Sequence, residues 1–408
     1  MPLPGIDISF ENGTLGQVVP SPDGLLGLVC HAEEVVSTFE HDTPYLVKSM
    51  KDVADLGLTD SVDNHIVYKF LAEFYQEAGE GTALWILPIA QTSALKDQFV
   101  ANPSGDVPVQ KMLDTANGEI RGVVALFNPD ASYTSDVEKE LEKEVLELAT
   151  NAQAFAESYT NTHYAPFFVL TEGYGYTGTK TTLEDLTSKE LNRVGILLGD
   201  TETRTGTTAA KGAALGVLAG RVAKIPVQRN IGRVASGALL PLEMYIVDDK
   251  VELSDVETLH DKGFITFRKH VSKSGYYFTD DPLACPIADD YHYLARRRVI
   301  DKAYRIAYAS TLQFLLEDLN VNADGTLSAI DAKTIEGVVQ NAIFSQMTVN
   351  GELSVDQSDS ADYGVIVKID LTHNVTSSST IKFAGLQVKP KGYARFIDVP
   401  LGFVPVSN

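Results

Sequence analysis

The sequence predicts a multidomain α/β (α+β) chain in which mixed sheets are flanked by helices and an extended arm lies at each end. Three observations predict it. Apolar runs of strand length alternate with amphipathic helical stretches through residues 23–245. Beyond Pro241 the pattern changes to short strands, two long helices and closing strands. Both ends are rich in proline and glycine with interspersed apolar residues, which suits extended chain. At 408 residues the chain has room for two to three domains.

The elements follow in order. Residues 1–22, with "PLPGIDISF" and "PSPDG", read as an extended arm. "LLGLVC" (25–30) is a short buried strand. "DNHIVYKFLAEFYQEAG" (63–79) is a helix that could start on Asp63 and stop at Gly79, with Val67, Phe70, Leu71, Phe74 and Ala78 as its stripe. "TALWILPIA" (82–90) and "RGVVALF" (121–127) are strands. Residues 135–159 predict one long helix with Leu141, Val145, Leu148, Ala152 and Phe155 inward and Glu138, Glu142 and Glu147 on a solvated face. "FFVL" and "VGILL" are the next strands. In "TTAAKGAALGVLAGRVAKIP", Gly212, Gly216 and Gly220 stand four apart. Glycine costs a helix about 1 kcal/mol, so a close backbone contact must offset it. "MYIV", "GFITFRKH" and "SGYYF" are short strands; helices over 291–318 and 328–346 follow, then strand-like runs "DYGVIVKIDL", "STIKFAGLQVK" and "GYARFIDVP". The expected organisation is an arm (1–22), an α/β region (23–245), a C-terminal domain (246–391) and a second arm (392–408), with the domain boundary near 240–255.

Composition narrows the function. Net charge is −22, which repels phosphate backbones and argues against general nucleic-acid binding. Two cysteines, Cys30 and Cys285, make neither a disulfide framework nor a zinc pattern and suit a reducing, cytoplasmic compartment. The start "MPLPGIDISFENG" lacks the basic and apolar regions of a secretory signal. The apolar run Gly212–Gly220 is far shorter than the roughly 20 residues of a membrane span.

One stretch, "FFVLTEGYGYTGTKTT" (167–182), raises a second function class. Gly173, Gly175 and Gly178 read G-x-G-x-x-G after a strand, and Asp200 lies 22 residues past Gly178. A dinucleotide fingerprint needs that spacing and a packed helix after the loop. Here the following residues are polar, and Tyr174 and Tyr176 are bulky where a pyrophosphate should approach. As a P-loop the stretch fails because Thr179 precedes Lys180, and one residue turns a helix by 100°. A Gly/Tyr/Thr-rich connection in an α/β domain, with glycines supplying positive φ, is the favoured reading, and a nucleotide-binding enzyme using residues 167–200 stands as the alternative function. No other catalytic set emerges. The eight histidines form no H-x-x-x-H pair, there is no G-x-S-x-G, and Asp280, Asp281, Asp289 and Asp290 beside Cys285 read as an acidic loop. No cofactor or metal is expected.

The helix at 291–318, "YHYLARRRVIDKAYRIAYASTLQFLLED", carries the most information. Ile300, Ala303, Tyr304, Ala307, Thr311 and Phe314 share one face, and Arg298, Lys302 and Arg305 point away from it. The expectation is a row of cations facing outward on an acidic protein. The segment order "LHDKGFITFRKHVSKSGYYFTDDPLA", then this helix, then "GTLSAIDAKTIEGVVQNAI", then paired strands resembles the C-terminal domain of contractile tail sheath proteins of phages and contractile injection systems. Leu259, Gly263, Phe264, Asp281 to Leu283 and Arg296 to Arg298 occupy the family's motif places; Tyr277 and Phe278 replace its usual Trp-Gly. The rest of the chain is similar to a divergent sheath-like group of Bacteroidetes-type elements.

The resemblance implies a tail-sheath-like fold and a structural, non-enzymatic subunit. Such subunits stack as hexameric rings around an inner tube, join baseplate and tail terminator proteins, and contract. It implies assembly in the cytoplasm, a place in a phage virion or injection particle, and no membrane insertion. It implies arms that add strands to neighbouring subunits, with Ile6, Ile8 and Phe10 at one end and Phe396, Val399, Phe403 and Val404 at the other. It assigns Arg298, Lys302 and Arg305 to the inner-tube contact.

Overall fold

The computed structural model describes residues 23–205, 211–252 and 256–403. The arm residues Ile6, Ile8, Phe10 and Val404 lie outside them. The chain divides into two units at Arg305/Ile306, later than the boundary expected at 240–255.

The first unit is built on a six-stranded sheet. Its strands are β1 (Leu26–Ala32), β2 (Tyr45–Val47), β3 (Leu84–Ala90), β4 (Gly122–Leu126), β5 (Phe168–Glu172) and β6 (Val194–Leu197), in the order β2-β3-β1-β4-β5-β6. β2 pairs antiparallel with β3; all other pairs are parallel. The parallel strands are apolar throughout because helices cover both faces. Alternate residues serve opposite sides. Leu26, Leu28, Cys30, Val124 and Leu126 join one core, while Val29, Val123, Ala125 and Val169 join the other.

The first core lies under α1 (His65–Ala78) and α4 (Leu215–Lys224), the second under α2 (Pro108–Thr115) and α3 (Lys143–His163). The predicted stripe of α1 is buried residue for residue. Gly216 and Gly220 explain themselves here. A Cβ on Gly216 would touch the Phe70 carbonyl oxygen and lie 2.8 Å from Glu73 Cβ; one on Gly220 would lie 2.8 Å from the Phe74 oxygen. The two helices pack backbone to backbone, as the spacing predicts. Gly212 does not share their face, because the helix starts only at Leu215.

Four other expectations are corrected. The helix predicted from 135 starts at Lys143: Lys139 and Glu140 take positive φ in a tight turn. The Glu142 carboxylate is buried, accepting from the Ser135 hydroxyl and the Asp136 amide, so Glu142 is not solvated surface. The short strands after 245 complete the first unit, with Ile265 bridging to Leu197 and Ala284 to Leu191. "GYARFIDVP" is not a strand.

The second unit, from Ile306, is small. α6 (Ala329–Ile343), N-capped by Ser328, covers one face of a two-stranded antiparallel sheet of β7 (Val365–Ile369) and β8 (Phe383–Val388). Val365, Val367 and Ile369 face inward while Ile366 and Lys368 face out. Leu327, Ala332, Ile335 and Ile369 form its core, with Phe314, Leu319 and Phe383 against them.

Candidate assembly surfaces

The glycine loop leaves the carboxyl end of β5, and four of its amides are already spent. Gly173 N donates to Leu197 O at 2.8 Å, Gly175 N to Lys211 O at 2.9 Å, Tyr176 N to Gly173 O at 3.3 Å and Thr177 N to Glu140 O at 3.1 Å. An anion cradle needs those N–H groups free. Arg204 seals the loop by donating to the carbonyls of Tyr176 and Lys211. Gly175 and Gly178 are there for φ of +74° and +95°. Only a 3-10 turn, Leu186–Ser188, follows, in place of the phosphate-binding helix.

In an open parallel sheet, ligands bind where the strand order reverses, here between the carboxyl ends of β1 and β4. That crevice is filled. Phe127, immediately after β4, makes edge contacts with His31 at 4.9 Å, Tyr174 at 4.8 Å and Tyr133 at 5.0 Å between ring centroids. Gln98 donates to Leu126 O beneath them. Burial pulls the His31 imidazole down to about 4, so it stays neutral in the core.

A polar cluster is buried at the same end of the sheet. Lys69 pairs with Asp200 and lies 3.4 Å from Glu73, whose carboxylate also accepts from Thr201 at 2.5 Å. Beside them the Glu172 carboxylate accepts from the amides of Phe127 at 2.8 Å and Ala213 at 2.9 Å. Burial pushes Glu172 up to about 7, against the pull of those two amides. Glu172 thereby ties β4 to the segment that leads into α4. Cys285 lies 3.8 Å from His292 Nδ1, a pairing that their spacing in sequence does not announce. Burial pushes its thiol up to about 12, which leaves it unreactive. Asp281 N-caps the next helix through Ala295 N at 2.8 Å, and both Asp280 and Asp281 accept from Asn230. Among the described residues, no group of His, Cys, Asp or Glu could hold a metal ion.

The basic helix is α5 (Leu294–Thr311), and the orientation expected for its cation row is corrected. Arg298 is 3% exposed and donates to Val222 O at 3.1 Å and Ile225 O at 3.0 Å. It thus satisfies the last carbonyls of α4 at the negative end of that helix dipole. Lys302 Nζ is 2.6 Å from Asp23 Oδ2, and Arg305 donates to Asp23 Oδ1 at 3.5 Å and Pro166 O at 3.3 Å. Asp301, on the same helix, is buried between Arg193 at 3.1 Å and Arg297 at 2.8 Å. The row turns inward because buried carbonyls and acids wait for it, and a helical wheel drawn from one segment cannot include those partners.

Of the C-terminal arm residues, Phe396 is 94% and Val399 70% exposed, and Phe403 is fully exposed; Ile397 and Leu401 join them. Residues 389–403 form no helix or strand. In the second unit, β7 and β8 pair only with each other among the described residues, so each keeps an open edge. An exposed apolar arm and an open sheet edge are the elements of strand addition.

No helix among the described residues is long and apolar enough to cross a membrane. No curated protein matches the sequence. Among solved structures, a chain of the anti-feeding prophage baseplate is similar at 14% identity and a TM-score of 0.62, covering 98% of this chain and 99% of that one. The anti-feeding prophage helical sheath in its contracted state is similar at 15% identity and a TM-score of 0.61, with coverage of 98% and 99%. The sheath complex of the extracellular contractile injection system PVC, also contracted, is similar at 14% identity and a TM-score of 0.58, with 98% of each chain covered. The chain therefore has the fold of contractile sheath proteins over nearly its whole length. The DUF2586 N-terminal domain matches residues 3–282 and the DUF2586 C-terminal domain residues 290–406, and the chain belongs to the DUF2586 family.

Proposed function

We propose that this protein is the structural subunit of a contractile sheath. It polymerises as stacked hexameric rings around an inner tube, joins a baseplate and a terminator at the ends, and contracts to drive the tube through a target envelope. It assembles in the cytoplasm and works as part of a phage or injection particle, with no catalytic step. The observation that carries this is the C-terminal arm. Phe396, Ile397, Val399, Leu401 and Phe403 stand in water in the single subunit, beside a two-stranded sheet that is marginal on its own. A neighbouring copy's edge would cover the one and complete the other. The fold shared with sheath proteins supports the same reading.

An inner-tube contact through Arg298, Lys302 and Arg305 would use side chains already engaged inside the subunit. Neutralising them should then cost stability before it costs tube binding. A tube contact elsewhere leaves tube binding intact in every variant that folds.

The test of assembly is truncation. Chain lacking residues 392–408 should remain folded by circular dichroism and stay in the supernatant at concentrations where full-length protein pellets. Pelleting of both alike would overturn the role of the arm.

A further inference from the structure

Charge is segregated within the first unit. Residues 203–242 and 262–279 contain no acid, in a chain that has 55. The fold packs 232–239 against 275–278. Leu239 N donates to Tyr276 O at 2.8 Å, and a Cβ on Gly232 would lie 2.6 Å from the Phe278 carbonyl oxygen. Phe267–Arg268 pairs with Tyr277–Phe278 as a hairpin, anchored by the buried rings of Phe267 and Phe278 at 5.1 Å. Its tip presents Arg268, Lys273 and, at 76% exposure, Val271; Arg233 and Leu242 are exposed on the adjoining segment. Nearby acids have their own partners or stand on the next turn: Glu252 takes Lys269 at 3.2 Å, Glu243 takes Lys250, Asp248 accepts from Arg204 N at 2.7 Å, and Asp249 is exposed. Among the described residues, no carboxylate pairs with Arg233, Arg268 or Lys273.

The opposite sign gathers in the loops beyond β1 and before α1. Glu33, Glu40, Asp42 and Asp63 are exposed there, together with Val36 at 86% and Val62 at 72% exposure. These loops are held in shape. Val35 and Phe39 exchange both backbone hydrogen bonds over a buried Phe39, and the Asn64 side chain holds Glu33 N and Glu33 O at 2.9 Å each. His41 takes Glu34 and His65 takes Asp60, while among the described residues no cation pairs with Glu33, Glu40, Asp42 or Asp63. Ile265 runs parallel to Leu197 of β6, so the basic tip points past the same carboxyl end of the sheet. β4, β5 and β6 lie between the two patches, which at ~4.8 Å per strand step is roughly 19 Å. That is about two Debye lengths at physiological salt, so the patches do not neutralise each other within one subunit.

We propose that the basic hairpin tip of one copy, Arg268 to Lys273 with Arg233 beside it, docks on the acidic loops of a second copy, those of Glu33, Glu40, Asp42 and Asp63. Each copy carries both halves of this contact, and on a chain of net charge −22 the basic half meets its complement on any other copy. Val271 and Leu242 on one half, and Val36 and Val62 on the other, supply an apolar centre within a charged rim, which is the anatomy of a protein interface. Because the two halves differ and lie apart, the contact is heterologous and repeats from copy to copy into a ring or a filament. The inference rests on the sheath reading for that repetition; the pairing itself needs only two copies. Exposed ion pairs are individually weak, so the opposed patches serve mainly to steer and orient the approach of one subunit to the next.

Two measurements separate the contact from the polymer. A carbodiimide joins an amine to a carboxylate already in contact with it. In an equal mixture of heavy-nitrogen-labelled and unlabelled wild type at low salt, Lys273 should be linked to Glu33, Glu40, Asp42 or Asp63 in peptides of mixed label. Absence of any such link would overturn the docking. Charge reversal then tests its role in assembly. Arg268→Glu with Lys273→Glu, and separately Glu33→Lys with Glu40→Lys, should each raise the concentration needed for pelleting by about tenfold with circular dichroism unchanged. The chain carrying all four changes should recover, and so should an equal mixture of the two double variants, because opposite charges face each other again. Folded double variants that pellet as the wild type does, or no recovery in either combination, would overturn the role in assembly. Should a double variant unfold, the cross-link in the wild type decides the contact. If the wild type pellets at no concentration, the sheath reading fails, and the cross-link alone decides whether two copies meet through these patches.

Discussion

Replacing Gly216 by alanine tests the packing of the first unit, because the same change at Gly337 should have the opposite sign. Both glycines lie within helices, α4 and α6, where alanine is intrinsically favoured by about 1 kcal/mol. At Gly337 nothing lies within 4 Å of the new Cβ, so that gain should appear as about 0.5–1 kcal/mol of added stability. At Gly216 the new Cβ would touch the Phe70 oxygen and lie 2.8 Å from Glu73 Cβ and 3.0 Å from the Phe70 carbonyl carbon. Ordinary carbon contacts need about 3.5–4.0 Å, so α1 and α4 must part by roughly 0.7–1 Å. A gap of that size forfeits about a quarter to a half of each dispersion contact across the seam. Overpacking costs about 1–3 kcal/mol, and the widened seam adds to it. The net loss should be about 1–2 kcal/mol after the helical gain. Urea unfolding measures it: fluorescence of Trp85, the only tryptophan, reports the first unit, and far-ultraviolet circular dichroism follows the helices of both units, so a transition seen by it and not by fluorescence belongs to the second. A Gly216→Ala variant as stable as the wild type would refute the backbone contact as the reason for the glycine.

Three further outcomes are expected. Burial raises Glu172 to about 7 in the folded state against about 4.3 when unfolded, so the folded state holds the extra proton and stability falls as pH rises through that window, by about 4 kcal/mol in all. Glu172→Gln should remove this slope, and equal pH profiles of unfolding free energy in the two proteins would contradict it. Gly175→Ala, forced to φ of +74°, should cost about 1–2 kcal/mol, while millimolar ATP or NAD should shift the melting temperature of neither protein; a nucleotide-dependent rise would revive the phosphate site. Deleting residues 1–20 should leave the monomer's circular dichroism intact and abolish pelleting, and unchanged pelleting would remove the N-terminal arm from assembly.

The sheet was legible because burial on both faces leaves a plain signal. "LLGLVC", "TALWILPIA", "RGVVALF", "FFVL" and "VGILL" each became a strand within two residues of its predicted ends. Gly216 and Gly220 announced a close contact through their spacing, although not with which helix. What failed was what depends on partners far away in sequence. Asp23 meets Lys302 across 279 residues, and Arg298 meets the end of α4 across more than 70, so a local wheel sent that row outward. Glu142 looked like one more acid on a solvated face until the turn at Lys139–Glu140 folded Ser135 and Asp136 over it. The glycine loop could not be decided from spacing, since a turn and a phosphate cradle want the same residues. The partners of its amides decided it.

The central claim is that this chain polymerises as a sheath. Negative-stain electron microscopy of the purified full-length protein at high concentration tests it most directly. The account predicts hollow tubes or stacked rings of sixfold symmetry, and their loss when residues 392–408 are removed. Uniform small particles in every salt and concentration that favours assembly would contradict it.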